Sequence, residues 1–121
     1  MNYTLDQIRS NNALAAVTDG SHTFIGKNRG DIVKKLPQLI MTNGLLQVLA
    51  FAKKEGDASG HGKAMMAVAT HLADPNVRVL NARPADLAAF TAALSQADTR
   101  TLRLATAEAL AYLNYLKHYA S

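Results

Sequence analysis

None of the four histidines of this 121-residue chain has a neighbour that would complete a catalytic pair or a metal site. They are His22, His61, His71 and His118. No H-E-x-x-H motif or other spacing typical of paired metal ligands connects them. His71 and Asp74 lie one turn apart, which at a helix end is typical of a surface pair. Cysteine is absent, which excludes a thiol nucleophile, a disulfide framework and a thiolate metal site. We therefore predict a protein that is not an enzyme and holds no metal or cofactor.

A glycine-rich run between Gly56 and Lys63 resembles a phosphate-binding loop only superficially. The spacing from Gly56 to Gly62 is one residue too long, and Ala64 stands where that loop needs Ser or Thr. The run also follows a predicted helix, whereas a phosphate-binding loop follows a strand. We interpret residues 56–62 as a flexible connector.

Basic side chains are concentrated between residues 27 and 54. This segment has six basic residues and one acid, hence a net charge of +5, in a chain of +4 with a pI near 9.6. Such clustering favours a polyanionic partner. It also suits a solvated face that keeps the protein soluble, and charge alone does not decide between the two.

Three tyrosines fall on neighbouring positions of the predicted last helix. Tyr112, Tyr115 and Tyr119 are interleaved with Lys117 and His118, a pattern that could stack on nucleobases. Tyrosine has an apolar body and a polar tip, so the same pattern suits a core or a protein interface. The sequence favours the core or the interface.

The elements that must position these residues are helices. Alanine and leucine dominate, and there is no clear alternating strand pattern longer than about four residues. The length fits one domain over residues 1–121, so we predict a single compact all-α domain of about five to six helices. We expect a cytoplasmic protein: the N-terminus lacks the apolar stretch of a signal peptide, and the longest uncharged run is too polar for a membrane span.

Caps and breakers predict the helix boundaries. Thr4 and Gln7 have capping-box spacing at the start of the first helix, and a loop follows over residues 20–30. Asp31 is a good cap for the second helix, and Pro37 should kink or split it. Asn43-Gly44 should break the chain before a third helix. A fourth helix is predicted over about residues 63–73. Pro84 should lie in the first turn of a fifth helix. The last helix should begin after the cap Asp98 and run to about Ala120.

Two segments have a specific residue order. Residues 34–51 read KKLPQLIMTNGLLQVLAF and residues 102–120 read LRLATAEALAYLNYLKHYA, and a weaker block lies within residues 7–17. Together they resemble the small subunit of the Cmr complex, the type III-B CRISPR ribonucleoprotein. Tyr115 and Tyr119 stand where that family has Trp and Phe, which retains bulk. His118 replaces Arg, which removes a permanent positive charge at that position.

The resemblance implies an all-helical, non-catalytic cytoplasmic subunit. Its partners would be the other Cmr subunits, notably the backbone subunits along which it stacks, neighbouring copies of itself, and guide and target RNA. A guide supplies specificity by base pairing, so the protein needs only backbone contacts. Lysine and arginine supply these, and we predict the RNA-facing residues to be Arg9, Lys34, Lys35, Lys53, Lys54 and Arg103. The apolar residues of the first segment are predicted to be core: Leu36, Leu39, Ile40, Leu45, Leu49 and Phe51.

Three other functions are also compatible with the sequence. One is a helical adaptor that binds only protein. Another is a small DNA-binding domain, although no recognition helix stands out. The third is the equivalent small subunit of a type III-A complex, against which the LPxLI and NGL sequences argue.

Overall fold

The computed structural model describes residues 3–18 and 31–120, and within them the chain forms six α-helices and no strand. This confirms the predicted all-α fold. The loop predicted over residues 20–30 lies outside the described residues. The helices are α1 (Leu5–Thr18), α2 (Asp31–Asn43), α3 (Leu45–Glu55), α4 (Gly60–Leu72), α5 (Leu87–Ser95) and α6 (Thr99–Tyr119).

Side-chain caps begin the first and last helices as predicted. The backbone N–H of Thr4 donates to Gln7 Oε1 at 2.8 Å, and that of Gln7 donates to Thr4 Oγ1 at 3.1 Å. Asp98 Oδ1 accepts from the backbone N–H of Thr101 at 2.7 Å at the start of α6. Each bond satisfies a donor that has no partner within its helix.

The start of α4 differs from the prediction. The helix begins at Gly60 rather than Lys63, because Ser59 caps it: its hydroxyl accepts from the N–H of Gly62 at 3.0 Å and donates to the carbonyl of Gly56 at 2.6 Å. The glycine-rich run is therefore half helix, and its remainder is a hydrogen-bonded turn.

The fifth helix also begins later than predicted. It starts at Leu87 instead of around Pro84, because Asp86 caps it by accepting from the N–H of Ala89 at 2.8 Å. Asp57 Oδ2 accepts from the N–H of Leu87 at 3.0 Å. The turn before α4 is thereby connected to the first turn of α5.

The link between α2 and α3 is a single glycine. The α2 helix continues through Pro37 and is not split there. Gly44 then adopts φ 88° and ψ 156°, a backbone conformation that side-chain-bearing residues rarely take. The predicted break at Asn43-Gly44 is confirmed, and it lets α3 leave α2 in a new direction.

The core lies where α6 packs against α1, α2 and α4, while α3 packs against α2, α4 and α5. Two of the predicted core residues are not fully buried: Leu39 is half-buried, and Phe51 is 43% exposed. Among residues 3–18 and 31–120, no helix combines the length and apolar character of a membrane span. The largest buried side chains include Tyr112, Phe90, Leu36, Ile40, Leu49, Met65, Leu72 and Leu113.

Candidate nucleic-acid interface

Four of the predicted RNA-facing residues lie on the two helices joined at Gly44. Lys34 and Lys35 are exposed in the first half of α2, and Lys53 and Lys54 are exposed in the last turn of α3. Lys35 Nζ lies 3.1 Å from the Asp31 carboxylate, an exposed pair that contributes little to stability.

Arg103 is exposed on a third helix, α6. The described structure therefore brings the four lysines onto α2 and α3, and it places Arg103 on a separate element.

Arg9 is in a different environment from the lysines. Its Nε donates to Glu108 Oε2 at 2.7 Å and its Nη2 donates to Glu108 Oε1 at 2.8 Å, while Nη1 donates to Asp6 at 2.9 Å. This two-point contact with a carboxylate is the strongest arrangement for a guanidinium, and the hydrogen bond to Glu108 raises the pKa of Arg9. Two carboxylates thus hold the charge of Arg9, which lies on α1, apart in the chain from the lysine surface, as we call Lys34, Lys35, Lys53 and Lys54 on α2 and α3.

Glu108 is the centre of a buried polar network. Its Oε2 lies 2.8 Å from His71 Nε2, and Asn12 Nδ2 lies 2.9 Å from His71 Nδ1 and 3.0 Å from Asp74 Oδ2. The network joins α1, α4 and α6 through side chains far apart in the sequence. The interpretation of His71 and Asp74 as a surface pair is wrong, because His71 is 1% exposed and its imidazole is linked to the Asp74 carboxylate through the Asn12 side chain.

The hydrogen bonds determine the tautomer of His71. Glu108 can only accept, so His71 Nε2 carries the proton. The Asn12 NH₂ group faces the Asp74 carboxylate, which requires a donor, so His71 Nδ1 must accept from the same group. A second proton, on His71 Nδ1, would place two hydrogen-bond donors, that N–H and the Asn12 NH₂ group, opposite each other. The imidazole also stacks on Tyr112, with centroids 4.4 Å apart and planes at 14°.

Burial and these contacts lower the pKa values of His71 and Glu108. Desolvation lowers the pKa of His71 below its ordinary 6.5, although Glu108 opposes the shift. Desolvation alone would raise the pKa of Glu108, but hydrogen bonds from Arg9 and His71 outweigh it and hold that pKa below 4.5. The network is therefore built for a neutral histidine and an ionised glutamate.

Stability is expected to fall as the pH drops below 6.5. There the unfolded chain takes up a proton at His71 that the folded chain refuses, so the free energy of unfolding decreases by at most about 1.4 kcal/mol per pH unit until the folded pKa is reached. Urea unfolding between about pH 7.5 and 5.5 measures this slope. His71→Phe removes the titrating group, so a variant with the same slope as the wild type would contradict the assignment.

The three tyrosines do not share one environment. Tyr112 is 1% exposed and belongs to the core. Tyr115 is half-buried, and the hydroxyl of Tyr119 lies 2.6 Å from that of Ser10 on α1. Tyr112 therefore packs against α4, through His71, while Tyr119 joins α6 to α1. Among the described residues there is no group of three or more His, Asp or Glu side chains that could hold a metal ion.

Residues 5–121 match the family model described as CRISPR-associated protein (Cas_Cmr5). The chain belongs to this family. Membership in the Cas_Cmr5 family makes it a subunit of a CRISPR Cmr-type complex that associates with other Cmr subunits, and confirms the resemblance drawn from residues 34–51 and 102–120. Cas_Cmr5 proteins are in general small, non-catalytic subunits. Comparison with curated proteins and with solved structures found no significant match.

Proposed function

We propose that this Cas_Cmr5 protein stacks along the backbone subunits of a cytoplasmic type III-B complex, next to copies of itself, and helps to hold target RNA near the guide RNA. It performs no chemistry in this role. The observation that supports the proposal is the set of four exposed lysines on α2 and α3. The family assignment supports the complex, and the lysines support the contact with RNA.

The expected contact is electrostatic and independent of sequence. A guide RNA selects its target by base pairing, so an accessory subunit has only to attract the phosphate backbone. Lysine acts as a flexible point charge for this purpose. Each phosphate contact releases counterions, so affinity should fall steeply as salt is raised.

Replacing Lys34, Lys35, Lys53 and Lys54 together by glutamate should weaken target RNA binding by the assembled complex. We expect a loss on the order of tenfold or more at about 0.1 M salt, and a shallower dependence of affinity on salt, by roughly three units of log–log slope per copy if all four contact phosphates. Filter binding or fluorescence anisotropy across a salt series measures both quantities. The four corresponding Lys→Gln substitutions separate lost attraction from added repulsion.

A control reverses two charges elsewhere on the surface. Arg78 and Arg100 are exposed and lie outside α2 and α3, so replacing both by glutamate should leave the salt slope within error of the wild type. If the four-lysine variant folds, assembles and binds RNA with unchanged affinity and slope, the lysine surface is not the RNA contact. Gentle purification of the tagged protein from its host should recover other Cmr subunits with short guide RNAs.

Exposed apolar side chains favour one competing function, a protein-only adaptor. Met41 is 70% exposed and Leu104 is 51% exposed, which suits contacts with neighbouring subunits. The adaptor predicts that association with protein partners depends on Met41 and Leu104, and that the four-lysine variant leaves the RNA affinity of the complex unchanged. RNA binding that weakens in a complete complex would instead support our proposal.

A further inference from the structure

A cleft of ≈ 470 Å³ lies between α2 and α3, beside the lysine surface. Its volume falls within the range of small-molecule sites, about 300–1,000 Å³. The lining combines apolar, aromatic, carboxamide and cationic groups. Its residues are Leu39, Asn43, Gln47, Val48, Ala50, Phe51 and Lys54.

The chemical character of the lining side chains changes along the cleft. Asn43 and Gln47 flank the Gly44 junction, so both carboxamides lie where the two helices meet. Phe51 follows one turn after Gln47, and Lys54 lies at the far end of α3. From the junction outward, a ligand would meet hydrogen-bonding amides, then an aromatic ring, then a cation.

Phe51 is the unusual residue of the cleft. It is 43% exposed, whereas an aromatic side chain of this size is ordinarily buried. His61 contacts it with ring centroids 5.0 Å apart and planes at 87°, a T-shaped arrangement that orients the ring. An exposed, oriented aromatic ring next to a cation is the combination on which unpaired nucleobases stack.

We infer that the cleft between α2 and α3 binds one unstacked nucleotide of single-stranded RNA. The base would stack on Phe51, its polar edge would bond the Asn43 and Gln47 amides, and the phosphate would approach Lys54. RNA bases outside a helix are read in this way, by stacking and by hydrogen bonds to their edges. The inference rests on the proposed RNA contact and adds a defined site to it.

An apolar side chain of a partner protein suits the cleft less well. It would match Leu39, Val48 and Phe51, but it would cover the two carboxamides without giving them hydrogen-bond partners. A nucleotide matches all three kinds of group, so the lining favours RNA over an apolar anchor.

The test is a titration of the isotopically labelled full chain with AMP and UMP, observed by NMR. We expect saturable shifts of the Asn43 and Gln47 side-chain amides and of the Phe51 ring, with a Kd on the order of 1 mM. Inorganic phosphate at the same concentrations should leave these amides and this ring unshifted. Phe51→Tyr keeps an aromatic face and should retain binding, whereas Phe51→Leu keeps apolar bulk and should weaken it by about fivefold or more.

Several outcomes would overturn the site. They are an absence of shifts in the wild-type chain, identical shifts with inorganic phosphate, and unchanged binding by a folded Phe51→Leu variant. Shifts of these groups on adding the other Cmr subunits, but not on adding nucleotide, would assign the cleft to protein contact. The nucleotide site and the proposed RNA contact can be contradicted independently of each other. The four-lysine variant tests RNA affinity and its salt dependence in the complex, whereas the titration tests base recognition by the isolated chain.

Discussion

Replacing Glu108 by alanine is expected to lower the free energy of unfolding by about 3–5 kcal/mol. The carboxylate side chain is 9% exposed and receives both Arg9 and His71. Without it, the Arg9 guanidinium, whose side chain is 20% exposed, loses its two-point partner and keeps only Asp6, and the His71 Nε2–H loses its acceptor. A buried donor left without an acceptor costs far more than its hydrogen bond contributes, because His71 Nε2–H cannot reach water without opening the packing of α1, α4 and α6.

Urea unfolding of the wild type and the variant at about pH 7.5 measures this loss. Glu55 provides the matched control, since it is exposed at the end of α3, and Glu55→Ala should change stability by less than about 0.5 kcal/mol. Arg9→Met combined with Glu108→Leu removes both charges and should be more stable than Glu108→Ala alone. A Glu108→Ala protein as stable as Glu55→Ala would show that the network does not hold the three helices together.

The parts of the fold that sequence alone predicts are those written in local signals. The capping box at Thr4 and Gln7, the break at Asn43-Gly44 and the cap at Asp98 each involve residues within one turn of each other, and all three are found. The starts of α4 and α5 were misplaced by about one turn. In each case two possible helix starts lie about one turn apart in the sequence. The hydrogen bonds that Ser59 and Asp86 accept fix the actual starts of α4 and α5.

The buried network could not be predicted in the same way. Arg9 and Glu108 are 99 positions apart, and His71 and Glu108 are 37 apart. Which of many polar residues meet depends on how α1, α4 and α6 pack. One signal was available, because Glu108 lies one turn after Ala105 and one turn before Tyr112, on the apolar stripe of the last helix. A carboxylate at such a position requires a buried partner.

The candidate RNA contact was also predicted only in part from the sequence. Polarity alone predicted that Lys34, Lys35, Lys53 and Lys54 would be exposed, and they are. The prediction that Phe51 is core was wrong, because the buried face of α3 consists of Leu45, Val48, Leu49 and Ala52. Phe51 lies one turn after Gln47, and both are on the exposed side of α3, opposite its buried face. An aromatic residue on the polar side of an amphipathic helix was the sequence signal for the α2–α3 cleft.

Gly62→Ala is the second substitution expected to have a large effect. A β-carbon at Gly62 would collide with the carbonyl oxygen of Gly56, and would lie 2.8 Å from the carbonyl oxygen and 2.9 Å from the carbonyl carbon of Asp57. All three are backbone atoms, which cannot move aside as a flexible side chain can. We expect a destabilisation of about 3 kcal/mol or more, at the upper end of overpacking costs, and a fall in Tm of roughly 10 °C.

Gly44→Ala is the informative comparison, measured by thermal unfolding alongside Gly62→Ala. A β-carbon at Gly44 meets nothing within 4 Å, so its cost comes only from the backbone conformation, φ 88° and ψ 156°, and should be about 1–3 kcal/mol. A loss smaller for Gly62→Ala than for Gly44→Ala would contradict the collision at Gly62. The larger loss at Gly62 would show why this glycine-rich run is not a phosphate loop: the N–H of Gly62 already donates to Ser59, and the missing side chain lets the turn between α3 and α4 close.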